Sequence, residues 1–488
     1  MESYTKRYGL IMGFIALLVV IFLPTPEGLP VAGHRMLGIL VFSIIVWMTD
    51  SISYPVSAAV IMALMAFLLG ISPDVAKPDV LIGTSKALSM ALGGFSNTAL
   101  ALVGGALFIA AAMTQTGLDK RIALFVLSKI GAKTNRVLAG VIVVSFVLSF
   151  FVPSTTARVS CMVPIIMGII LAFGVDKKSK FAGMLMITTA QAAAIWNVGI
   201  KTAAAQNMVA LGFIEKQLGQ YISWFDWFIA AAPFSIIMSI VLYFVMLKVM
   251  PPEMKEITGG KEAIARAIAE LGLMKIGEKK LLIISVLLLL FWSTEKILHP
   301  FDTSSVTIAA VAIMLLPGIG IITWKGVQDK IAWGTLILFG VGISLGSALL
   351  STKAAAWMAK IIVTTFGLQT MPILVILAIL AAFLIIIHLG FASATALAAA
   401  MIPIMISILQ GVQVHTPEIN VVGLTMILQY VVSFGLILPV NAPQNMIAYG
   451  TDTFEVKDFI RTGIPLTIIA YVLILLFSAT YWKWLGLV

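Results

Sequence analysis

Two stretches of the chain decide its fold, because they are two copies of one pattern. Ser154–Met167 reads STTARVSCMVPIIM and Ser393–Ile406 reads SATALAAAMIPIMI, with six identities in 14 positions and no gap. A second pair follows: Gln206–Gly212 reads QNMVALG and Gln444–Gly450 reads QNMIAYG, with five identities in seven. The two pairs are offset by 239 and 238 residues, so the sequence predicts an internal repeat that occupies both halves of the chain.

The composition of the chain excludes a water-soluble protein. Of its 488 residues 61% are apolar and 11% are charged, and the mean hydropathy is +1.10, whereas soluble proteins average about 25% charged residues. The single Cys161 cannot form an internal disulfide. The apolar run Leu10–Leu23 follows Lys6 and Arg7 but has no small-residue cleavage site, so we interpret it as a membrane helix rather than a signal peptide. The sequence therefore predicts a multi-pass protein of the cell membrane.

Long apolar runs without strand-like alternation predict an all-α polytopic bundle of about 11 transmembrane helices. The predicted spans are 8–24, 31–49, 54–72, 98–116, 181–196 continuing through 207–212, 226–249, 280–294, 304–322, 333–350, 418–438 and 463–487. Two further apolar blocks, 136–174 and 369–411, are interrupted by small polar residues and predict re-entrant hairpins. The alternative is that each block is two full spans joined by a polar loop outside the bilayer.

The net charge of +10 is explained by membrane topology rather than by nucleic-acid binding. Of the 31 Lys and Arg residues, 21 lie in loops that can share one side, and eight lie in the opposite loops. The positive-inside rule then places the N-terminus in the cytoplasm and the C-terminus outside. The charges that flank the two hairpins predict opposite orientations for the first half, 1–250, and the second half, 280–488, with 251–279 as a cytoplasmic linker. Inverted repeats with broken helices are typical of secondary transporters, whose site lies between the repeats.

Four polar breaks in the apolar segments are candidate binding segments. They are the tips 153–157 and 390–395 and the broken-helix stretches 197–202 and 438–445, the latter two within 181–212 and 418–450. A helix restarts after each break, and helix N-termini and hydroxyl groups suit carboxylate oxygens. Besides the tip hydroxyls, these stretches contribute Thr202 and Asn441 as candidates. The alternative is that the hydroxyls bond back to their own helices.

Two cations, Arg158 and Lys201, fall within the predicted membrane segments, and the sequence places no Asp or Glu beside them. An unpaired cation at the bilayer centre costs at least about 2.5 kcal/mol, so the pair predicts a dianion that arrives from solution. The alternative for Arg158 is a structural tie to carbonyl groups at a helix end. His388 is the one histidine within an apolar run, and it either bonds a backbone carbonyl or takes part in binding or proton coupling.

The duplicated tips, each followed by a helix with an apolar-Pro-apolar run, resemble the divalent-anion/sodium symporter family of di- and tricarboxylate carriers. The tip that reads PSTTAR over 153–158 is similar to the branch of oxoglutarate/malate translocators and citrate/succinate and tartrate/succinate exchangers. The resemblance implies a homodimer in which a transport domain of hairpins and broken helices moves as an elevator against a scaffold. It also implies that Asn207 and Asn445 frame one side of the site, and that the substrate carboxylates meet Ser154, Thr155, Thr156, Ser393, Ala394 and Thr395.

Departures from the family pattern predict the mode of transport. The family tips read Ser-Asn-Thr, and Thr155 and Ala394 replace the two Asn residues that help to form cation sites in sodium-coupled relatives. Lys201 lies where a sodium site would be, and an ammonium group excludes Na⁺ within contact distance. Because an empty carrier with unpaired buried cations crosses slowly, we expect sodium-independent exchange of C4 and C5 dicarboxylates (succinate, malate, fumarate and oxoglutarate). The alternative is a sodium- or proton-coupled symporter of di- or tricarboxylates or of sulfate.

Two other functional classes fit the sequence less well. A channel needs a continuous polar lining, whereas the polar residues in the apolar segments cluster at one depth. An enzyme needs a nucleophile with a base or a metal cluster, and His388 without a buried acid makes neither. The sequence therefore predicts a transporter without a cofactor or bound metal, whose partners are a small dicarboxylate and the lipid bilayer rather than nucleic acid.

Overall fold

The computed structural model is an all-helical bundle that describes residues 4–129, 133–172, 174–253 and 260–488. Within those ranges eight helices are long and apolar enough to cross a membrane, namely Val31–Thr49, Thr98–Thr116, Thr134–Phe151, Lys180–Gly199, Trp224–Val249, Trp333–Ser351, Ala394–Gln413 and Val456–Trp484. Residues 254–259 of the predicted linker, residue 173 of the first predicted hairpin, and 1–3 and 130–132 of the first predicted half lie outside the described residues.

Eleven helices precede the predicted linker within the described residues. They are α1 (Tyr4–Phe22), α2 (Val31–Thr49), α3 (Tyr54–Leu64), α4 (Thr84–Leu92), α5 (Thr98–Thr116), α6 (Leu118–Ser128), α7 (Thr134–Phe151), α8 (Thr155–Ala172), α9 (Lys180–Gly199), α10 (Ala205–Leu218) and α11 (Trp224–Val249). A π-helical turn, Met65–Leu69, extends α3, and a 3₁₀ turn, Lys201–Ala203, lies between α9 and α10. The short amphipathic helices α4 and α6 are additional to the predicted spans.

The linker contributes one surface helix, and eleven more helices follow it. They are α12 (Gly260–Leu271) in the linker, then α13 (Ile276–Ser293), α14 (Thr303–Leu315), α15 (Trp324–Val327), α16 (Trp333–Ser351), α17 (Ala354–Thr365), α18 (Ile373–His388), α19 (Ala394–Gln413), α20 (Val421–Val432), α21 (Pro443–Tyr449), α22 (Val456–Ala479) and α23 (Tyr481–Trp484). A 3₁₀ turn, Pro439–Asn441, separates α20 from α21.

Two predicted spans are longer than the helices that form. The span 304–322 ends as α14 at Leu315, because Pro317 lacks an N–H group and disfavours helical backbone at the residue before it. The span 418–438 ends as α20 at Val432, so the second helix break begins earlier than the sequence predicts. The first break begins later, since α9 continues through Asn197 to Gly199.

Both predicted hairpins are present, and their tips lie inside the bundle. The first consists of α7 and α8 around a three-residue tip, and the second consists of α18 and α19. Thr155 and Ser393 at the two tips are buried. A polar loop outside the bilayer would be exposed to water, so the burial of both tips favours re-entrant hairpins.

Long-range polar contacts respect the two sides that the charge pattern predicts. On the cation-rich side Lys178 lies 3.7 Å from Asp452, and Arg121 bonds Glu278 at 2.8 Å. On the opposite side the hydroxyl of Thr98 donates to Glu215 at 2.7 Å. Each contact joins segments that are far apart in sequence but lie on the same predicted side.

Candidate functional site

A cavity of about 500 Å³ lies between the two hairpin tips and the helix breaks. This central cavity is lined by seven of the thirteen predicted site residues, namely Ser154, Thr155, Thr156, Thr202, Ser393, Ala394 and Thr395. The facing wall is formed by one side of α5, from Val103 to Thr114, and by the start of α16. Residues from the two repeated stretches, 239 positions apart in sequence, therefore meet at one place.

Each tip is closed by a serine that caps the following helix. The Oγ of Ser154 accepts a hydrogen bond from the backbone N–H of Ala157 at 3.3 Å, and the Oγ of Ser393 accepts one from Ala396 at 3.3 Å. The alternative interpretation, in which the tip hydroxyls bond their own helices, is thus correct for the Oγ atoms of Ser154 and Ser393 as acceptors. Each hydroxyl keeps its own proton as a donor, so both tips can still offer hydrogen bonds to an anion beside the positive ends of α8 and α19.

The guanidinium of Arg158, which the sequence predicts to meet an anion from solution, is bound by carbonyl groups of the protein. One terminal nitrogen donates to the carbonyls of Val152 at 2.8 Å and Ala203 at 2.9 Å. The other donates to Oδ1 of Asn197 at 2.6 Å and to the carbonyl of Ala193 at 3.4 Å. The side chain is completely buried and does not line the central cavity. These contacts favour the alternative interpretation of Arg158, a structural tie to carbonyl groups at a helix end.

Asn197 connects Arg158 to the central cavity. Its Oδ1 accepts from Arg158 and also from the hydroxyl of Thr155 at 2.8 Å. Because a guanidinium can only donate, the oxygen of the amide must face Arg158. The amide nitrogen is then the group left for the cavity, which Asn197 lines. Arg158 thus orients a donor at the site without contacting the cavity itself.

The prediction that Lys201 is unpaired is wrong. Its ammonium donates to the carbonyl of Ile222 at 2.7 Å and to the hydroxyl of Thr303 at 3.4 Å, and that hydroxyl donates to Glu295 at 2.8 Å. Lys201 and Glu295 are each 2% exposed. The ammonium also lies 4.8 Å from the centre of the Tyr221 ring. Lys201 belongs to this separate buried cluster and does not line the central cavity.

Asn207 and Asn445 brace the two helix breaks and do not line the central cavity. The Nδ2 of Asn207 donates to the carbonyls of Asn197 at 2.7 Å and Ile200 at 3.2 Å. The Nδ2 of Asn445 donates to the carbonyls of Gly435 at 2.8 Å and Leu438 at 3.4 Å, each 238 positions after its counterpart. Both amide nitrogens therefore donate to backbone carbonyl groups at the places where the helices are interrupted. In this structure both asparagines therefore hold the helix breaks rather than face the central cavity.

Asn441 and His388 meet behind the second tip, outside the lining of the central cavity. The Nδ2 of Asn441 donates to the backbone carbonyls of His388 at 2.8 Å and Phe391 at 3.1 Å. The buried ring of His388 lies beside Gly435, and neither ring nitrogen has a hydrogen-bond partner among the described residues. The expected bond from the ring of His388 to a carbonyl is therefore not formed. Asn441 fastens the second tip to the second break.

Several lining residues are not among the predicted site residues, although Gln444 lies in the predicted break 438–445. Gln206 and Gln444 line the cavity at equivalent places in the two repeated stretches, and Lys330 lines it from the loop before α16. The repeat itself carried the signal for the two glutamines, since QN opens both QNMVALG and QNMIAYG. In each QN pair the asparagine braces the helix break and the preceding glutamine lines the cavity.

The comparison with known families decides the identity of the fold. A model described as the sodium:sulfate symporter transmembrane region matches residues 4–488. The chain belongs to this family. It is therefore a membrane transporter rather than an enzyme, as the sequence predicted.

Relatives and solved structures agree with this assignment. A protein of Cupriavidus necator named only "Membrane protein" is 57% identical, with 99% of this chain and 93% of that protein covered. The sodium-dependent dicarboxylate transporter SdcS of Staphylococcus saprophyticus is 28% identical, with 97% and 91% covered. The YdaH transporter of Alcanivorax borkumensis superimposes with a TM-score of 0.55 at 13% identity, over 87% of this chain and 97% of that one. The last likeness concerns the fold alone.

Proposed function

We propose that this member of the sodium:sulfate symporter family carries C4 and C5 dicarboxylates, such as succinate, malate, fumarate and oxoglutarate, across the cell membrane. The observation that supports the proposal is the convergence of the N-terminal ends of α8 and α19 on one cavity. Helix N-termini, free hydroxyl protons and the amide of Asn197 all present hydrogen-bond donors. The described residues that line the cavity include no Asp or Glu, so its donors face an anion without competing negative charge.

The two tips suit a substrate with two negative ends. A volume of about 500 Å³ lies within the range of about 300 to 1,000 Å³ that is usual for small-molecule sites. One carboxylate would bind at the Ser154–Thr156 tip and the other at the Ser393–Thr395 tip. The name of the relative SdcS, a sodium-dependent dicarboxylate transporter, is consistent with this substrate class.

For the transport step we propose an elevator in a homodimer, with the N-terminus in the cytoplasm. The tips and breaks form one wall of the central cavity, and α5 and α16 form the facing wall, so the two walls can belong to a moving unit and a static unit. The cavity extends to the exposed Lys330, which lies on the cation-rich side. By the positive-inside rule this conformation is open to the cytoplasm.

Sodium-independent exchange is the mode that the sequence predicts, and sodium-coupled symport is the second candidate. The prediction of exchange depended on buried cations without partners, which would slow the return of an empty carrier. Arg158 and Lys201 both have partners within the protein, so this argument for exchange no longer holds. Together with the name of SdcS, the partnered cations favour sodium-coupled symport at least as strongly.

Uptake into proteoliposomes tests both the substrate and the mode. Exchange predicts that labelled succinate enters without sodium, and only when the vesicles contain unlabelled dicarboxylate. Symport predicts entry into vesicles without internal anion when sodium is present outside. Absence of uptake for succinate, malate, fumarate and oxoglutarate under both conditions would contradict the proposal, and uptake of sulfate alone would replace the substrate class.

The tip threonines are expected to contribute directly to affinity. Thr156→Val and Thr395→Val remove one hydroxyl each from the lining of the central cavity while nearly conserving volume. A hydrogen bond to a charged group contributes about 1.5 to 3 kcal/mol, so each variant should raise the KM for succinate at least about tenfold. The control is Thr364→Val, an exposed threonine of α17 whose hydroxyl donates to Lys360 of its own helix. If the KM of both tip variants equals that of the control, the tips do not bind the substrate.

A further inference from the structure

The two buried cations, Arg158 and Lys201, do not compensate the negative charge that a dicarboxylate would bring into the central cavity. A dicarboxylate brings two negative charges between low-dielectric walls. The terminal nitrogens of Arg158 are bound to backbone and to Asn197, and Lys201 belongs to the Glu295 cluster. Among the described residues that line the central cavity, Lys330 is the one with an ionised side chain.

Lys330 lies in the loop before α16 rather than at either hairpin tip. It ends a 3₁₀ turn, Gln328–Lys330, between α15 and α16, and its side chain is exposed at the mouth of the cavity. Its ammonium donates to Oε1 of Gln115, a neutral partner, at 3.4 Å. The adjacent Asp329 is exposed and does not line the cavity. The contact with Gln115 therefore holds the ammonium at the mouth without neutralising its charge.

We infer that Lys330 binds the entering dianion and selects for its second negative charge. Helix N-termini and hydroxyls provide only partial charges, so they distinguish one carboxylate from two less strongly than a full charge does. A full positive charge on the facing wall adds attraction that grows with the charge of the ligand, and walls of low dielectric concentrate its field in the cavity. Lys330 thus favours dicarboxylates over monocarboxylates of the same length.

The flexible side chain suits this role at a mouth that opens and closes. Lysine is a point charge on a four-carbon stem, and it can follow an anion without fixed geometry. Because Lys330 lies on the wall formed by α16 rather than on the tips, its contact with the substrate belongs to the conformation that is open on the cation-rich side. The contact would be lost when the tips carry the substrate to the other side.

This inference rests on the proposed function, and a charge-variant experiment separates the two. Equilibrium binding of succinate and of monomethyl succinate is measured at pH 7.5 on the full chain in lipid nanodiscs, in sodium-containing buffer. Succinate is a dianion at this pH and its monomethyl ester is a monoanion of nearly the same length. The variants are Lys330→Gln, Lys330→Arg and, as a matched control, Lys325→Gln, an exposed lysine of α15 outside the cavity lining.

In the Lys330→Gln variant the affinity for succinate should fall about tenfold, and the affinity for the ester should fall less than threefold. Lys330→Arg should restore succinate binding to within about threefold, and Lys325→Gln should change neither ligand. Added salt should narrow the gap between wild type and Lys330→Gln, since an exposed charge is screened. An equal loss for both ligands, or no loss for either, would overturn the inference. Failure of the wild type to bind succinate would instead overturn the proposed function.

Discussion

Replacing Glu295 by alanine is expected to destabilise the protein by about 3 to 5 kcal/mol, the usual cost of removing one partner of a buried charge pair. The carboxylate accepts hydrogen bonds from the Tyr221 hydroxyl, from the backbone and hydroxyl of Thr303, and from the backbone of Trp224. Through the Thr303 hydroxyl it is joined to the ammonium of Lys201. Without Glu295 this buried ammonium would lose its counter-charge, and four donors would lose their acceptor.

Replacing Lys201 instead of Glu295 should cost less stability, because the carboxylate of Glu295 has more hydrogen-bond partners than the ammonium of Lys201. In Lys201→Met the carboxylate of Glu295 keeps all four of its hydrogen bonds, so we expect a loss of about 1 to 2 kcal/mol. The double variant Lys201→Met, Glu295→Gln should recover most of the stability that Glu295→Ala loses, since neither charge remains. Thermal unfolding of the purified variants, followed by fluorescence, measures the order of their stabilities.

The same variants test whether Lys201 serves the substrate. Because Lys201 does not line the central cavity, Lys201→Met should leave the KM for succinate within about threefold of wild type. A loss of binding at unchanged thermal stability would restore the interpretation of Lys201 as the cation of the site. It would also restore the charge argument for exchange.

The spans were predictable because they depend on local composition. The predicted ranges 31–49 and 98–116 coincide with α2 and α5. The side chain of Asn97 accepts from Ala99 to cap the start of α5, and Gly117 with φ of +77° ends it. The predicted end of α14 is wrong because Pro317, which disfavours continuation of a helix, lies within the apolar run 304–322.

The meeting of the tips could be predicted, but the partners of the cations could not. The duplicated pattern placed Ser154 and Ser393 at equivalent tips, and both line one cavity. No acid within the apolar segments is a partner of Lys201 in the sequence pattern, whereas Glu295 directly follows the predicted span 280–294 and is buried in the interior. That return depends on packing between distant segments, which no local pattern records. Lys330 likewise lies in a charged loop, and the charge pattern indicates only its side of the membrane.

Replacing Arg158 by methionine is expected to have an effect as large as that of Glu295→Ala, and for a different reason. The guanidinium lies where α7 and α9 end, and the C-terminal ends of helices carry partial negative charge. These carbonyls take the place of an acid, so counting Asp and Glu could not reveal that the cation is compensated. Methionine would leave the carbonyls of Val152 and Ala203 buried without donors, at about 1 to 3 kcal/mol each.

The second half makes the corresponding tie with another side chain, which provides the matched comparison. Asn441, in the second break, donates to the carbonyl of Phe391 before the second tip, as Arg158 donates to that of Val152 before the first. Asn441→Ala should therefore also destabilise the protein, but by only about 1 to 2 kcal/mol, because a neutral amide is lost rather than a charge.

Arg158→Lys separates a structural tie from direct substrate binding. An ammonium keeps the positive charge but cannot reach all four acceptors of the planar guanidinium. We expect a lower thermal stability for Arg158→Lys, intermediate between wild type and Arg158→Met. We also expect a weaker succinate affinity that falls with it, because Asn197 and the first tip lose their fixed position. Were Arg158 a direct ligand, Arg158→Lys would keep the thermal stability of wild type and lose only affinity. That result would show that the anion, rather than the helix ends, holds the guanidinium.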